Sequence, residues 1–279
     1  MAGFFAGTEV AARIEREEGQ LVLSGAVAAR VRHPEVAVLT IPLAGAVAAW
    51  AGENSPLNKV AGLGFGGVPR VEELAALEFA FAQRATPVRV ELASLADPEI
   101  AALLAARGYR FVGFENVLGL ALTGRESRAL PAGIEIRESG LEEFATWLDM
   151  VVTGFATPDE QGVATDEEFP RAVLERVMGD LATSAGFTRY LARRGGETAG
   201  GGSLRMGGGI AQLCGAATLP AHRRHGVQTA LLLARLDLAR AAGCDLAVVT
   251  TQPGSKSQEN VQRQGFQLLY TRAVLIRES

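Results

Sequence analysis

The chain has 279 residues, too many for one ordinary mixed domain and comfortable for two of about 140 each. Its 48% hydrophobic and 21% charged residues place it among globular proteins able to fill two cores. The formal net charge of -4 argues against a nucleic-acid partner held by a basic face, and no run of about 18 apolar residues offers a membrane span. In chain order, the N-terminal MAGFFAGTEVAARIEREEG lacks the basic start and long apolar stretch of a signal peptide, so a cytoplasmic location is expected. VEELAALEFAFAQRA from Val71 reads as a helix, PVRVELA from Pro87 as a strand, and GYRFVGFENVL from Gly108 as a turn and a strand. The polar stretch Thr123–Arg128, followed by Pro131 and Gly133, marks a boundary between domains 1–127 and 128–279.

Beyond it, Ile134–Arg137 alternates as a short strand, and Leu141–Phe155 carries apolar residues at helical spacing. Asp166–Leu181 reads as a second helix, opened by acids that suit the positive end of its dipole; the intervening Thr153–Asp166 reads as a mobile loop. Strand-like runs follow at Phe187–Arg193, Gly200–Met206 and Ile210–Thr218, with Gly195-Gly196 and Gly207–Gly209 as hairpin turns. Val227, Leu231, Leu232, Leu238 and Ala242 then mark a long helix that starts at or just after Gly226. Ahead of it lies a tight loop with Arg223, Arg224 and His225. The first amides of a helix lack intrahelical partners and the dipole there favours negative charge. Gly226 lets a phosphate approach the backbone, and two arginines add charge-assisted contacts, so the loop has the makings of an anion cradle. The strand LAVVTT (Leu246–Thr251), a short helix SKSQENVQRQ and a last strand FQLLYTRAVLI complete the chain. Cys214 and Cys244 sit in apolar segments and read as buried thiols of a reducing compartment; three histidines show no metal-ligand spacing, so no metal is expected.

This order resembles the GNAT superfamily of acyl-CoA N-acyltransferases, and RRHGVQ at Arg223–Gln228 resembles that family's Q/R-x-x-G-x-G/A loop, with Gln228 in place of the last Gly or Ala. The resemblance covers Ile134 to the C-terminus. An ungapped internal repeat at an offset of 157 extends it: Gly108 falls on Gly265, Pro87 on Cys244, Val71 on Gln228, and Asn58–Ala61 on Gly215–Thr218. In that register RRHG faces GGVP, Gly66 to Pro69, and Pro69 has no N–H to offer a phosphate. The implied fold is an α/β (α+β mixed sheet) chain of two tandem GNAT-like domains, the first degenerate and lending shape to a substrate cleft.

The resemblance further implies acetyl-CoA as cosubstrate. Its thioester would lie where the strands Ile210–Leu219 and Leu246–Thr251 splay, with Ala217, Thr218 and Leu219 presenting backbone groups to the pantetheine. Arg223, Arg224, His225, Gly226, Val227, Gln228 and Thr229 would hold the pyrophosphate, and Asn260 would contact the pantetheine. The family's usual acid, a Tyr four residues before the Gly-Phe pair, is Val261 here; Ser257, Tyr270 or an ordered water stands as substitute, and Glu115 as general base. The expected partner is a small primary amine, with no nucleic acid or membrane; homodimerisation stays open, as a tandem pair already supplies the interface one domain would seek. Acetylation of a protein N-terminus or lysine, a non-catalytic acyl-CoA-binding regulator, and an aminoacyl transferase using a tRNA ester remain alternatives.

Overall fold

The computed structural model describes residues 5–157, 163 and 169–278. They form two compact units: one holds the described residues up to Leu118 with Thr250–Pro253 and Leu268 onward, the other Gly119–Val249 and Gly254–Gln267. The expected division at 127/128 is continuous in sequence, whereas this one is not, because the last strand leaves the second half of the chain and joins the first unit.

In chain order the elements are α1 (Thr8–Arg32), β1 (Leu39–Leu43), β2 (Ala46–Trp50), β3 (Lys59–Ala61), α2 (Val71–Ala82), β4 (Val88–Ala93), α3 (Pro98–Ala106) and β5 (Arg110–Ala121). There follow β6 (Ile134–Glu138), a 3-10 turn Leu141–Glu143, α4 (Phe144–Ala156), α5 (Arg171–Ala182), β7 (Phe187–Arg194), β8 (Glu197–Gly207) and β9 (Ile210–Thr218). A 3-10 turn Pro220–His222 leads to α6 (Val227–Ala241), β10 (Leu246–Thr251), α7 (Lys256–Gln262) and β11 (Gln267–Arg277). The expected helix Asp166–Leu181 is found from Arg171; its acidic start and most of the loop Thr153–Asp166 lie outside the described residues.

In the second unit the strands run β10-β9-β8-β7-β6, antiparallel except for the β9/β10 pair. Gly195-Gly196 and Gly208-Gly209 turn the two hairpins, all four at positive φ, as the right-handed twist of paired strands demands. Alternation along β8 sets the layers. A Cβ at Gly201 would meet Met150 and Trp147 of α4, while one at Gly200 or Gly202 would meet Val227 or Arg235 of α6. The sheet therefore lies between α4 and α6, with Trp147, Met150, Val151, Met178, Ala182 and Leu191 forming a core on the α4 face.

In the first unit the order is β1-β2-β3-β4-β11-β5, with β3 parallel to β4 and β11 antiparallel to β4. Val60, Leu63, Leu74, Leu77, Phe81, Val90, Ile100 and Leu104 fill its core, and α1 packs on the hairpin through Val22 and Ala26 against Ala49 and Ala61.

The offset of 157 holds element by element: α2 maps onto α6, β4 onto β10, α3 onto α7 and β5 onto β11, each within two residues at either end. Gly108 and Gly265 both adopt positive φ at the corresponding turn. The first copy carries no counterpart of β6 among the described residues. Since β5 and β11 are repeat equivalents, the place beside β4 is taken by the strand of the other copy.

Candidate functional site

The parallel ladder of β9 and β10 covers three residue pairs, Ile210–Gln212 with Leu246–Val248, although both strands continue beyond it. A bulge in β9 explains the parting. Across to β8, Gly201 pairs with Ala217 and Ser203 with Cys214, so Gly215 and Ala216 together face Gly202. Gly215 takes up the extra residue at φ +39. A bulge bends the strand that carries it, and this one lies three residues beyond the last residue of β9 paired with its parallel neighbour, where it turns β9 away.

The chain leaves β9 at Thr218, makes the turn Pro220–His222 and reaches α6 through Arg223–Gly226. Gly226 caps α6 at φ +83, and Arg224 is also left-handed at φ +63, a conformation that a residue with a Cβ pays for. Among the described residues, the amides of Arg224 through Thr229 donate to no backbone carbonyl; the first bond inward is Ala230 N–H to Gly226 O at 2.9 Å. These are the free donors of an anion site at a helix N-terminus. Arg224 and His225 are exposed beside them. Arg223 differs from expectation in its direction: its guanidinium folds back, Nε donating to Thr218 O at 3.4 Å and Nη2 to Thr157 O, so it braces the loop. The Thr218 hydroxyl and His222 Nδ1 are buried without a hydrogen-bond partner. Ala217 and Val227 are buried; Thr218, Leu219, Gln228 and Thr229 are half-buried around the loop.

On α7, Ser255 caps the helix by accepting from Gln258 N–H at 3.2 Å, Ser257 is exposed and Asn260 half-buried. Val261, 5% exposed, is a core residue at the position of the missing tyrosine.

Tyr270 and Glu115 are brought together elsewhere, in a buried ionic cluster of the first unit. Tyr270 donates its hydroxyl to Glu15 Oε1 at 2.7 Å, and Arg272 Nε donates to the same oxygen at 2.8 Å. Arg272 also lies 3.6 Å from Glu115 and 3.9 Å from Glu91. Lys59 pairs with Glu91 at 2.9 Å and with Glu18 at 3.4 Å, and Arg89 with Glu91 at 3.6 Å and Glu115 at 3.7 Å. Burial and the charge on Glu15 push the Tyr270 hydroxyl far up, which makes it a reluctant proton donor. Burial opposes ionisation of Glu91, but Lys59 and Arg272 outweigh it and hold that carboxyl below its usual range. Burial and then Glu91 raise Glu115 to about 7, against the pull of Lys59 and Arg272.

The repeat register puts Lys59 where the second copy has Ala216, and Glu91 where it has Val248. The first copy thus carries an ion pair at the place where β9 and β10 part. Gly67 (φ +100) corresponds to Arg224, so that left-handed turn residue persists without its cation, whereas Pro69, with its ring-fixed negative φ, stands where Gly226 is left-handed. Sequence reasoning missed this cluster and Arg235 of α6. For Arg235 a signal existed: it sits four residues after Leu231 and four before Ala239, on the apolar stripe. No group of three or more His, Cys, Asp or Glu able to hold a metal is found among the described residues.

Residues 155–266 match the model of the acetyltransferase (GNAT) family. No curated protein matches the chain. Among solved structures, a GCN5-related N-acetyltransferase from Kribbella flavida is similar over 95% of this chain and 96% of its own, at 18% identity and a TM-score of 0.66. A tandem GNAT protein from the clavulanic acid biosynthesis pathway is similar over 84% and 78%, at 16% identity and 0.59. A GCN5-related N-acetyltransferase from Sphaerobacter thermophilus is similar over 75% and 69%, at 17% identity and 0.53. The chain has the GNAT fold, and its segment 155–266 is similar to the GNAT acetyltransferase family.

Proposed function

We propose that the protein moves an acetyl group from acetyl-CoA to the primary amine of a small molecule, by direct attack with both substrates bound. One observation carries this reading: the free amides at the start of α6, capped by a left-handed Gly226, stand directly after the strand that bulges away from its parallel partner. The amides of Arg224–Thr229 with Arg224 and His225 would hold the pyrophosphate. The backbone of Gly215–Leu219 would take the pantetheine and donate to the thioester oxygen, where charge develops as the amine attacks. Asn260 is the proposed further pantetheine contact. With Val261 in the core and Tyr270 spent on Glu15, Ser257 is the remaining side chain, beside an ordered water, to protonate the leaving thiolate. A thiol of pKa about 8.5 needs little help. The net charge of -4 favours a small acceptor over a nucleic acid, and the free thiols suit the cytoplasm.

Calorimetric titration with acetyl-CoA tests the cradle. One site per chain is expected, and Arg224→Ala should weaken binding about tenfold, the worth of one charge-assisted contact. Arg223→Ala should weaken it less directly, through a loosened loop, with a loss that grows with temperature. Absence of binding by the natural protein would sink the reading. Two sites per chain would mean that the first copy also takes the ligand.

Glu115 is the proposed general base, because burial and the neighbouring Glu91 raise its carboxyl to about 7. The base must be ionised, so kcat/KM with a fixed amine should fall as pH drops below about 7, and Glu115→Gln should remove that limb. A limb that persists in the variant takes Glu115 off the list. A regulator that binds acyl-CoA without turnover is the second reading, favoured by Val261 and by the engagement of Tyr270. Amine-dependent release of free thiol separates the two.

A further inference from the structure

The buried face of α6 holds one guanidinium. Arg235 is 2% exposed and stands about 12 Å along the helix from its N-terminus. Among the described residues no carboxylate pairs with it. Nε donates to Leu231 O at 3.0 Å, and Nη1 donates to Ser203 O at 2.8 Å and to Cys214 O at 3.3 Å. A buried guanidinium without a counter-ion is costly, and its cost is offset here by carbonyl oxygens alone. Burial pushes its pKa down to about 10, which still leaves it a cation at neutral pH; Cys214 and Tyr190 are the titratable groups that face it.

The carbonyls it selects are not arbitrary. Ser203 and Cys214 are the last regular β8–β9 pair before the bulge, and Gly202, which faces the two bulged residues, has no side chain where the guanidinium sits. A Cβ at Gly202 would lie 3.2 Å from both Cζ and Nη1 of Arg235. The Ser203 hydroxyl donates to the same Cys214 oxygen at 2.9 Å. Two donors, one of them charged, thus converge on the carbonyl of the residue just before Gly215. That oxygen and the Gly215 N–H are two ends of one peptide group, so electron density drawn to the oxygen strengthens the N–H as a donor.

We propose that Arg235 is a positioning residue: it pins the Cys214–Gly215 peptide at the β9 bulge and so fixes the backbone donors that meet the thioester oxygen. This rests on the acyl-transfer reading above. It also ties the two parts of the site to one element, since α6 offers its free amides at its start and holds the bulge two turns later.

Three variants test it: Arg235→Met, Arg235→Lys and Ser203→Ala. Each is measured for acetyl-CoA affinity, for kcat and by amide hydrogen exchange over 213–218, with β7 as the internal reference. In Arg235→Met, exchange over 213–218 should rise about tenfold or more while β7 is unchanged. In the same variant kcat should fall about tenfold or more, with acetyl-CoA affinity kept within about threefold. Lysine, still cationic but with one point donor, should restore part of both, and Ser203→Ala should show a smaller loss of both. Exchange and kcat that stay at the natural values would overturn the proposal, and so would a change in one without the other. If Arg235→Met does not fold, the Lys and Ser203→Ala variants decide by the same paired readout. If the natural protein acetylates no amine, the acyl-transfer reading fails, while exchange alone still decides whether Arg235 pins the bulge.

Discussion

Replacing Gly226 with alanine should both destabilise the second unit and weaken acetyl-CoA binding, and the two effects have separable causes. At φ +83 any residue with a Cβ is strained, at a cost of roughly 1–2 kcal/mol. The new Cβ would also stand 3.1 Å from Pro131 Cβ and 3.3 Å from its Cγ, so the loop or the Pro131 segment must shift by a few tenths of an ångström. A loss of about 2 kcal/mol lowers the melting temperature of a unit this size by roughly 6 °C. The same shift displaces the amides that would face the pyrophosphate. Two misaligned bonds to a charged group, at about 1 kcal/mol each, raise Kd about thirtyfold. Gly243, beyond the other end of α6, provides the control. Its φ is +84, yet an added Cβ there meets nothing within 4 Å. Gly243→Ala should cost the strain alone and leave Kd unchanged. Equal binding by both variants would remove the Gly226 loop as the cradle.

The loop and its helix were legible because local physics writes them locally: a glycine, free helix amides and a 3.6-residue apolar period all fall within one stretch. The strands β7 to β10 were legible for the same reason, through alternation and paired glycines. Three features were not. The helix α1 buries Ala11, Glu15, Gly19, Val22 and Ala26, a face too small and too charged to show an apolar stripe. The ionic cluster draws residues 15, 18, 59, 89, 91, 115, 270 and 272 from five elements, and no spacing in one chain signals such a meeting. The placement of β11 beside β4 was hidden by the repeat itself. Strands β5 and β11 have the same pattern at an offset of 157, so nothing local distinguishes which copy each completes. The opening of β9 from β10 was expected only through resemblance. Its physical cause, two residues facing Gly202, emerges from the pairing register.

The ionic cluster should also make stability depend on pH in a direction opposite to ordinary carboxylates, with Glu115 as the source. In these ion pairs four glutamates, Glu15, Glu18, Glu91 and Glu115, share three cations, Lys59, Arg89 and Arg272, so full ionisation of these seven groups leaves one negative charge in excess among them. Burial and Glu91 raise Glu115 from 4.5 to about 7 in the folded chain. Between those values the folded state holds a proton that the unfolded state has lost, so stability falls as pH rises through that window. At about 1.4 kcal/mol per pH unit the loss approaches roughly 3 kcal/mol by pH 7. Its side chain is 23% exposed, and solvent screening reduces this toward roughly 2 kcal/mol. Glu91 works the other way: its carboxyl is held below the usual range, so its contribution is present above that range and lost only in acid. Glu115→Gln removes the excess charge and its titration together. Urea denaturation at pH 5, 6, 7 and 8 should find the variant close to the natural protein at pH 5 and more stable by about 2 kcal/mol at pH 8. A difference that stays constant across the series would mean that another group carries the shared proton. Glu15, whose carboxyl burial also raises despite Arg272, would then be the residue to replace.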